Sequence, residues 1–323
     1  MGADGRNAGP LDLLKVLARG AARRAGNRQH PTVDPAFDPT ALGDVRDRML
    51  AQWRSLGVSE ATMSQWLADA FSAGEYRDAV ERCRRVWGSL EGKRIVDLGC
   101  GWGSLSVLFA RAGAEMTFLD RFEAHVEVTR MRVPAGTGYV ADARDLGSLR
   151  KDLAGRHDFI LLNSLIEHVG PPPEHRGDAE SSLEAKRAVI AEAAHLVKKG
   201  GGVYIATGNF EFPIDGEIKT WFFHWLPVEE QRRVLEARGL DADLYGLLRW
   251  PQLLSLCEQA DLRLETVETV ELRFLSLVLT WLSMLSRLAG YRLPRREIAH
   301  LQRLIVEDPQ YMPTWFAFFR KAA

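Results

Sequence analysis

The sequence predicts an α/β fold: a mostly parallel, seven-stranded sheet with helices on both faces, a helical extension before it and two later insertions able to act as lids. Three observations predict it. Apolar strand-like runs alternate with segments of helical spacing from Arg94 onward. Three glycines at alternate positions close the first of those strands. The composition, 46% hydrophobic and 26% charged over 323 residues, is that of an ordinary globular chain with room for one large decorated domain or two modest ones.

Residues 1–39 are rich in Gly, Arg, Asp and Pro and read as a mostly disordered arm. Within it Leu11, Leu14 and Leu17 precede Arg19, Arg23 and Arg24, a basic amphipathic patch that reads as a solvated arm, with contact to a membrane surface as the alternative. Residues 40–92 read as a helical cap. Apolar residues recur at helical spacing in Leu42, Val45, Met49 and Trp53, then in Met63, Trp66, Leu67 and Ala70, then in Tyr76, Val80, Cys83 and Trp87. Gly57, Gly74 and Gly88 mark the three helix ends.

From residue 93 to 323 the pattern is that of one sheet-based domain. Strands are expected at Arg94–Leu98, Glu115–Leu119, Gly138–Val140, Phe159–Asn163 and Val203–Thr207, with helices at Leu105–Ala112, Phe122–Arg130 and Leu183–Val197 between them. An aromatic-rich insertion spans about 208–250, a helix follows at Pro251–Ala260, and a strand at Leu262–Leu272. A second insertion spans about 275–313 before a last strand at Thr314–Phe319. Insertions of that length usually carry function.

Bulk properties exclude some classes. A net charge of −1 offers no overall basic field for nucleic acid. Cys83, Cys100 and Cys257 have neither metal-ligand nor disulfide-framework spacing, which implies a reducing, cytoplasmic setting. The N-terminus lacks a secretory signal pattern, and Phe274–Ser286, the longest uncharged apolar stretch, is too short for the ~18–20 residues of a spanning helix, so no stable membrane insertion is expected. His157, His175 and His195 form no recognised metal pattern with the carboxylates or cysteines, so no metal is expected.

The chemistry-bearing signal is Val96-Asp97-Leu98-Gly99-Cys100-Gly101-Trp102-Gly103, a buried-type strand that enters a glycine loop and then a helix. Glycines let a backbone approach a ligand closely. A dinucleotide site places its third glycine one residue later and a pyrophosphate at the helix start. An acid at Asp97 would repel a pyrophosphate and suits an amino group instead. This segment resembles the first motif of the class I (Rossmann-like) S-adenosylmethionine-dependent methyltransferases, V-D-L-G-C-G-x-G, and the resemblance covers about Lys93 to Thr207.

The resemblance implies S-adenosylmethionine as cofactor and S-adenosylhomocysteine as product. Asp97, Gly99, Cys100, Gly101 and Gly103 would lie under the amino-acid part of the cofactor. Asp120, ending the second strand, would accept the ribose hydroxyls, with Arg121 beside it. Asp142 would accept the adenine amino group while Ala143 supplies backbone, and Asn163 would close the fourth strand at the same site. The run Asn163-Ser164-Leu165-Ile166-Glu167-His168-Val169 is similar to the L-x-E-H-V segment of many small-molecule methyltransferases and differs from the N-P-P-Y-like sequence of many adenine and glutamine N-methyltransferases.

Methyl transfer rests largely on positioning, so a base is optional. For a hydroxyl acceptor a histidine within hydrogen-bond reach would take the proton, and His168 and His224 are the candidates, with Glu211, Asp215 and Glu217 behind them. His168 reads equally as a packing residue. The segment from Phe212 to Pro227 resembles a subgroup of bacterial methyltransferases of polysaccharide and surface biosynthesis, in which F-P-x-[DE]-x-H-T precedes H-W-L-P. His224-Trp225-Leu226-Pro227 matches in full, whereas Glu217 and Ile218 replace the His-Thr pair. Trp315 to Lys321 shares that likeness loosely. Tyr76, Glu217, Trp221, Phe223 and Trp225 are the candidate acceptor-binding residues, and core packing is the alternative for the aromatic ones.

The expected activity is therefore methyl transfer to a small-molecule acceptor, favouring a hydroxyl of a sugar, glycan precursor or secondary metabolite. A non-catalytic cofactor-binding partner shares these features. An NAD-dependent oxidoreductase is disfavoured by the glycine spacing and by Asp97.

Overall fold

The computed structural model describes residues 42–55, 63, 77–170, 179–212, 223–237, 246–269, 296, 297, 300, 303, 307–312 and 314–323. In chain order the elements are α1 (Gly43–Ser55), α2 (Arg77–Trp87), β1 (Arg94–Leu98), α3 (Ser104–Arg111), β2 (Glu115–Asp120), α4 (Glu123–Arg132), β3 (Thr137–Val140), α5 (Leu149–Leu153) and β4 (His157–Asn163). They continue with α6 (Ala179–Leu196), β5 (Val197–Gly208), α7 (Val228–Ala237), α8 (Trp250–Gln259), β6 (Leu262–Glu268) and β7 (Thr314–Lys321). The expected middle helix of the cap, apart from Met63, lies outside the described residues, as do the arm and most of the second insertion.

All seven expected strands form, in the order β3-β2-β1-β4-β5-β7-β6. β1 pairs in parallel with β2 and with β4, while β7 runs antiparallel to both β5 and β6. The strand order therefore reverses beside β1, and in open α/β sheets the crevice at the carboxyl ends of the strands around such a reversal is where ligands sit.

Alternating side chains explain the two layers. Val96, Leu98, Ile160, Leu162, Val203 and Ile205 pack on one face against Val189, Ile190 and Ala193 of α6 and Leu253, Leu256 and Cys257 of α8. Ile95, Phe118, Phe159, Leu161, Tyr204 and Phe318 pack on the other against Leu105, Val107 and Phe109 of α3 and Ala79, Val80 and Cys83 of α2. Because β1, β4 and β5 are buried on both faces, they carry the near-continuous apolar runs by which the sequence is read.

Several boundaries differ from expectation. β5 begins at Val197, since its ladder with β4 extends back to the His157–Val197 pair across a register shift, through a Lys-Gly stretch that reads locally as a turn. Gly202 leaves the space that Trp87 fills: a Cβ there would meet Trp87 Nε1 at 2.6 Å, and the Trp87 ring stacks on Phe159 at 4.0 Å between centroids. α7 arises inside the first insertion, directly after Pro227 and with Glu229 and Glu230 in its first turn, where acidic residues favour the helix start. Gly88 ends α2 as expected, with φ +79° and its N–H donating to Arg84 O at 2.9 Å. No described helix is long and apolar enough to cross a membrane.

Candidate functional site

The glycine loop is held from three sides. The N–H groups of Gly99 and Cys100 both donate to Leu119 O, at 2.8 and 2.9 Å, which ties the end of β1 to β2. Thr129 Oγ1 of α4 donates to Gly101 O at 3.1 Å, and Arg132 Nη1 donates to Trp102 O at 2.6 Å and to Ser104 Oγ at 3.1 Å. Gly99, Gly101 and Gly103 all have positive φ. At Gly103 a side chain is excluded twice, by φ +73° and by Thr129, whose Cγ2 and Oγ1 would lie 2.7 Å from a Cβ. Cys100 is buried, and its Sγ meets Thr129 Oγ1 at 3.4 Å. The cap reaches this loop directly, because Trp53 of α1 meets Trp102 edge-on at 4.7 Å between ring centroids, while Leu50 and Met63 pack beside it.

Three carboxylates stand at or just beyond the carboxyl ends of β1, β2 and β3. Asp97 is 2% exposed and accepts a hydrogen bond from Ser106 Oγ at 2.6 Å. Burial pushes its carboxyl up to about 6, against the pull of that bond. Asp120 accepts from the Gly101 N–H through Oδ2 at 2.9 Å and from the Phe122 N–H through Oδ1 at 3.0 Å, and His125 Nδ1 lies 3.3 Å from Oδ1. Burial raises it, but His125 and the two amides outweigh burial and hold Asp120 below the usual carboxylate range. A carboxylate has about four acceptor positions. After the two amides, capacity is left on each oxygen, which is what a vicinal diol requires.

Asp142 is gripped by Arg144, whose Nε lies 3.0 Å from Oδ1 and whose Nη2 lies 2.6 Å from Oδ2, and the Arg144 N–H donates to Oδ1 at 2.9 Å. That guanidinium keeps Asp142 ionised below the usual range. Arg144 Nη1 also donates to Gly170 O at 3.2 Å, joining this edge to the turn after β4. Arg121 projects beside it with its guanidinium 4.5 Å from the Phe122 ring centroid, and Ala143 is partly buried. Arg144 escaped the sequence reading, although an Arg two residues after a strand-end Asp is a signal that could have been used.

At the ends of β4 and β5 the structure is more elaborate. Asn163 ends β4 opposite Ala206, and Ser164 follows with φ +49°, a left-handed conformation uncommon for a residue with a side chain and a mark of local strain. Ile166–His168 then form a 3-10 turn in which the His168 N–H donates to Leu165 O at 2.9 Å. Glu167 is buried and accepts from Thr207 Oγ1 of β5 at 2.8 Å.

After β5, Asn209 Nδ2 donates to Gln310 O and Met312 O at 2.9 and 2.7 Å, and the Phe210 N–H donates to Leu248 O at 3.0 Å. Phe223–Trp225 form a second 3-10 turn. His224 is 6% exposed and tilts toward Phe210 at 6.3 Å between ring centroids. Trp225 is half exposed and donates from Nε1 to Phe210 O at 3.1 Å. Phe223 is fully buried with Leu235, Leu226 and Val234, so it packs α7 and presents no surface. Glu211 pairs with Arg249 at 3.1 Å. Tyr76, Glu217 and Trp221, together with Asp215, lie outside the described residues. Among the described residues, no group of three His, Cys, Asp or Glu stands close enough to hold a metal ion. Cys83, Cys100 and Cys257 are free thiols, all buried.

A family model described as "Methyltransferase domain" matches residues 68–266, more than half of the chain. Among curated proteins the chain is 31% identical over 189 residues to a ubiquinone biosynthesis O-methyltransferase of Aromatoleum aromaticum, covering 57% of this chain and 69% of that protein. It is 31% identical over 131 residues to a protein of the same name from Bordetella avium, covering 40% of this chain and 48% of that one. The chain thus spans about half the length of the Bordetella relative. Among solved structures it is similar to magnesium protoporphyrin IX methyltransferase of Synechocystis PCC 6803 with bound SAH, at 15% identity and a TM-score of 0.46 over 87% of this chain and 99% of that one.

Proposed function

The chain belongs to the methyltransferase-domain family, and on that premise we propose that it transfers the methyl group of S-adenosylmethionine to a hydroxyl of a small molecule, in a reducing, cytoplasmic setting. The observation that carries this reading is the run of three carboxylates across the carboxyl ends of β1, β2 and β3, set beside a loop whose glycines exclude side chains. The residues fit the cofactor's chemistry. Asp97 and the loop suit its amino-acid portion, the ionised Asp120 carboxylate suits a ribose diol, and Asp142 with Ala143 suits adenine.

When bound, S-adenosylmethionine supplies a methyl carbon already activated by a positively charged sulfur. The chain's own work is then to orient the acceptor in line with that carbon and to take up the hydroxyl proton. His168 and His224 sit on turns that follow the adjacent strands β4 and β5 and are the proton acceptors of this reading. Trp225, half exposed, offers an aromatic face to a sugar ring or an apolar acceptor. Oxygen is favoured as the acceptor atom by the names of the similar relatives. A net charge of −1 supports a small molecule over nucleic acid.

The test is transfer of a labelled methyl group by the purified protein into cell extract, separated into small-molecule, glycan, lipid, protein and nucleic-acid fractions. Label in the small-molecule or glycan fraction is the expected result. Label confined to protein or nucleic acid overturns the acceptor class, and cofactor binding with no label in any fraction supports a non-catalytic binding protein instead.

A further inference from the structure

Lys186 lies in the middle of α6 and is 1% exposed. Burying an ammonium costs several kcal/mol unless its donors and its charge are satisfied, and a Leu or Met would fill the same space without that cost. Its partners come from its own helix and from outside it. Nζ donates to Val169 O, at the end of the turn that carries His168, and to Ser182 Oγ at 2.9 Å one helical turn back. Its charge is opposed by Glu167, the buried carboxylate bonded to Thr207 of β5. Gly246 completes the cluster. Its N–H donates to Glu167 O at 3.2 Å, and a Cβ there would lie 2.6 Å from Nζ and 3.0 Å from Ser182 Oγ, so this backbone passes close to the ammonium.

Two residues beyond Gly246, Leu248 bridges to Asn209 and accepts from Phe210, and Arg249 then pairs with Glu211. One buried ammonium therefore sits where α6, the turn after β4 and the segment leading to the wall behind β5 meet. The next residue after Val169, Gly170, is held by Arg144 from the Asp142 side.

We propose that Lys186 is a positioning residue for the acceptor half: it holds the Ile166–Val169 turn, and with it His168 and the Gly246–Arg249 wall, in the arrangement that receives the acceptor. This rests on the acceptor-half reading given above. Lys186 is buried, and among the described residues its hydrogen bonds go to Val169 and Ser182. Among the described residues the charged group facing it is Glu167, with Ser182 on its own helix and the backbone at Val169 and Gly246 around it. Burial brings the ammonium down to about 8, with Glu167 opposing that fall, so the pair loses its charge balance within an accessible pH range.

Lys186→Met and Glu167→Gln, each in the full chain, test this by three readouts: S-adenosylhomocysteine affinity by calorimetry, amide hydrogen exchange, and methyl transfer into the labelled small-molecule fraction from about pH 7 to about pH 9.5. In Lys186→Met the affinity falls far less than methyl transfer does, since Gly170 and Arg144 stand between Lys186 and Asp142. Exchange accelerates at residues 164–170 and 246–249 but not at 94–106, and transfer falls about tenfold or more through misplacement of the acceptor. The wild-type rate declines above about pH 8. That decline moves to lower pH in Glu167→Gln, which keeps an acceptor for Thr207 but removes the opposing charge.

Unchanged exchange at both segments, exchange that rises across the whole domain, or a decline left in place by Glu167→Gln each overturns the inference. Should Lys186→Met fail to fold, Glu167→Gln alone decides by the same exchange and pH readouts. If wild-type protein transfers no label, the proposed function fails by itself, and the exchange pattern still decides the role of Lys186.

Discussion

The two halves of the crevice are built differently. On the side of β1, β2 and β3 each candidate carboxylate has a partner nearby in the chain, Asp97 in Ser106, Asp120 in Phe122 and Asp142 in Arg144, and Asp120 also holds Gly101 on the preceding loop. On the side of β4 and β5 the ties are long-range, with Glu167 to Thr207, Asn209 to Met312 and Phe210 to Leu248. A site made of short-range ties can be carried as one motif through many enzymes. One made of long-range ties can change with its insertions while the sheet stays the same, which is how a shared fold serves different acceptors.

The contrast breaks most sharply at Asp120. Asp120→Ala orphans the N–H groups of Gly101 and Phe122 and removes the carboxylate assigned to the ribose. Charge-assisted hydrogen bonds contribute about 1.5–3 kcal/mol each, so S-adenosylhomocysteine affinity should fall about a hundredfold or more. Calorimetry checks this, and a loss under about fivefold would remove Asp120 from the binding site.

Asp97 tests the same half through pH. Its carboxyl stands near 6 in the fold against 3.8 ordinarily, so between those values the folded chain keeps a proton that the unfolded chain has released. The resulting stability is full below about 3.8 and is lost as pH rises through 6, in all about 3 kcal/mol. Asp120, held below the ordinary range, contributes in the opposite sense, present above that range and lost in acid. Comparing Asp97→Asn with wild type isolates the first effect. Denaturant melts at about pH 4.5 and about pH 7 should show the wild type losing stability relative to the variant, and parallel behaviour would mean that Asp97 is not held protonated by burial.

A smaller effect is expected from the cap. Trp53→Ala removes the edge-on contact with Trp102 in the glycine loop and should weaken cofactor binding by about 1 kcal/mol, read as a rise in the S-adenosylhomocysteine dissociation constant. No change would show that α1 packs on the loop without steadying it. The smallest effect on cofactor affinity belongs to Trp225→Ala. Half exposed and bonded to Phe210 in the segment after β5, it should shift that affinity less than about twofold while reducing methyl transfer. A large loss of cofactor affinity there would merge the two halves that the structure separates.

Legibility in the sequence follows the same division. β1 is read to the residue, and Gly99, Gly101 and Gly103, read as a loop that lets a ligand approach closely, have left-handed conformations. The first insertion is legible as an insertion but not as a helix, although Pro227 followed by Glu229 and Glu230 is a helix-start signal. The early start of β5 was hidden because Lys198, Lys199, Gly200 and Gly201 carry no strand propensity of their own and enter the sheet as a continuation of the ladder with β4. Phe223 is one member of an aromatic run in the sequence, and only the packing of α7 makes it core.

The sequence by itself determined the seven strands, the glycine loop, the three strand-end acids and the family they resemble, because strand periodicity and a strand-to-helix turn depend on residues close in the chain. Tertiary structure alone decided that Asp142 is gripped by an arginine that also reaches Gly170, that Trp53 leans on the glycine loop, and that a lysine on α6 lies under the turn of His168. In the sequence Lys186 is one more charged residue in a helix of mixed composition. Its burial depends on Val169, Glu167 and Gly246 arriving from other elements, and that arrival is fixed only when both layers have packed on the sheet.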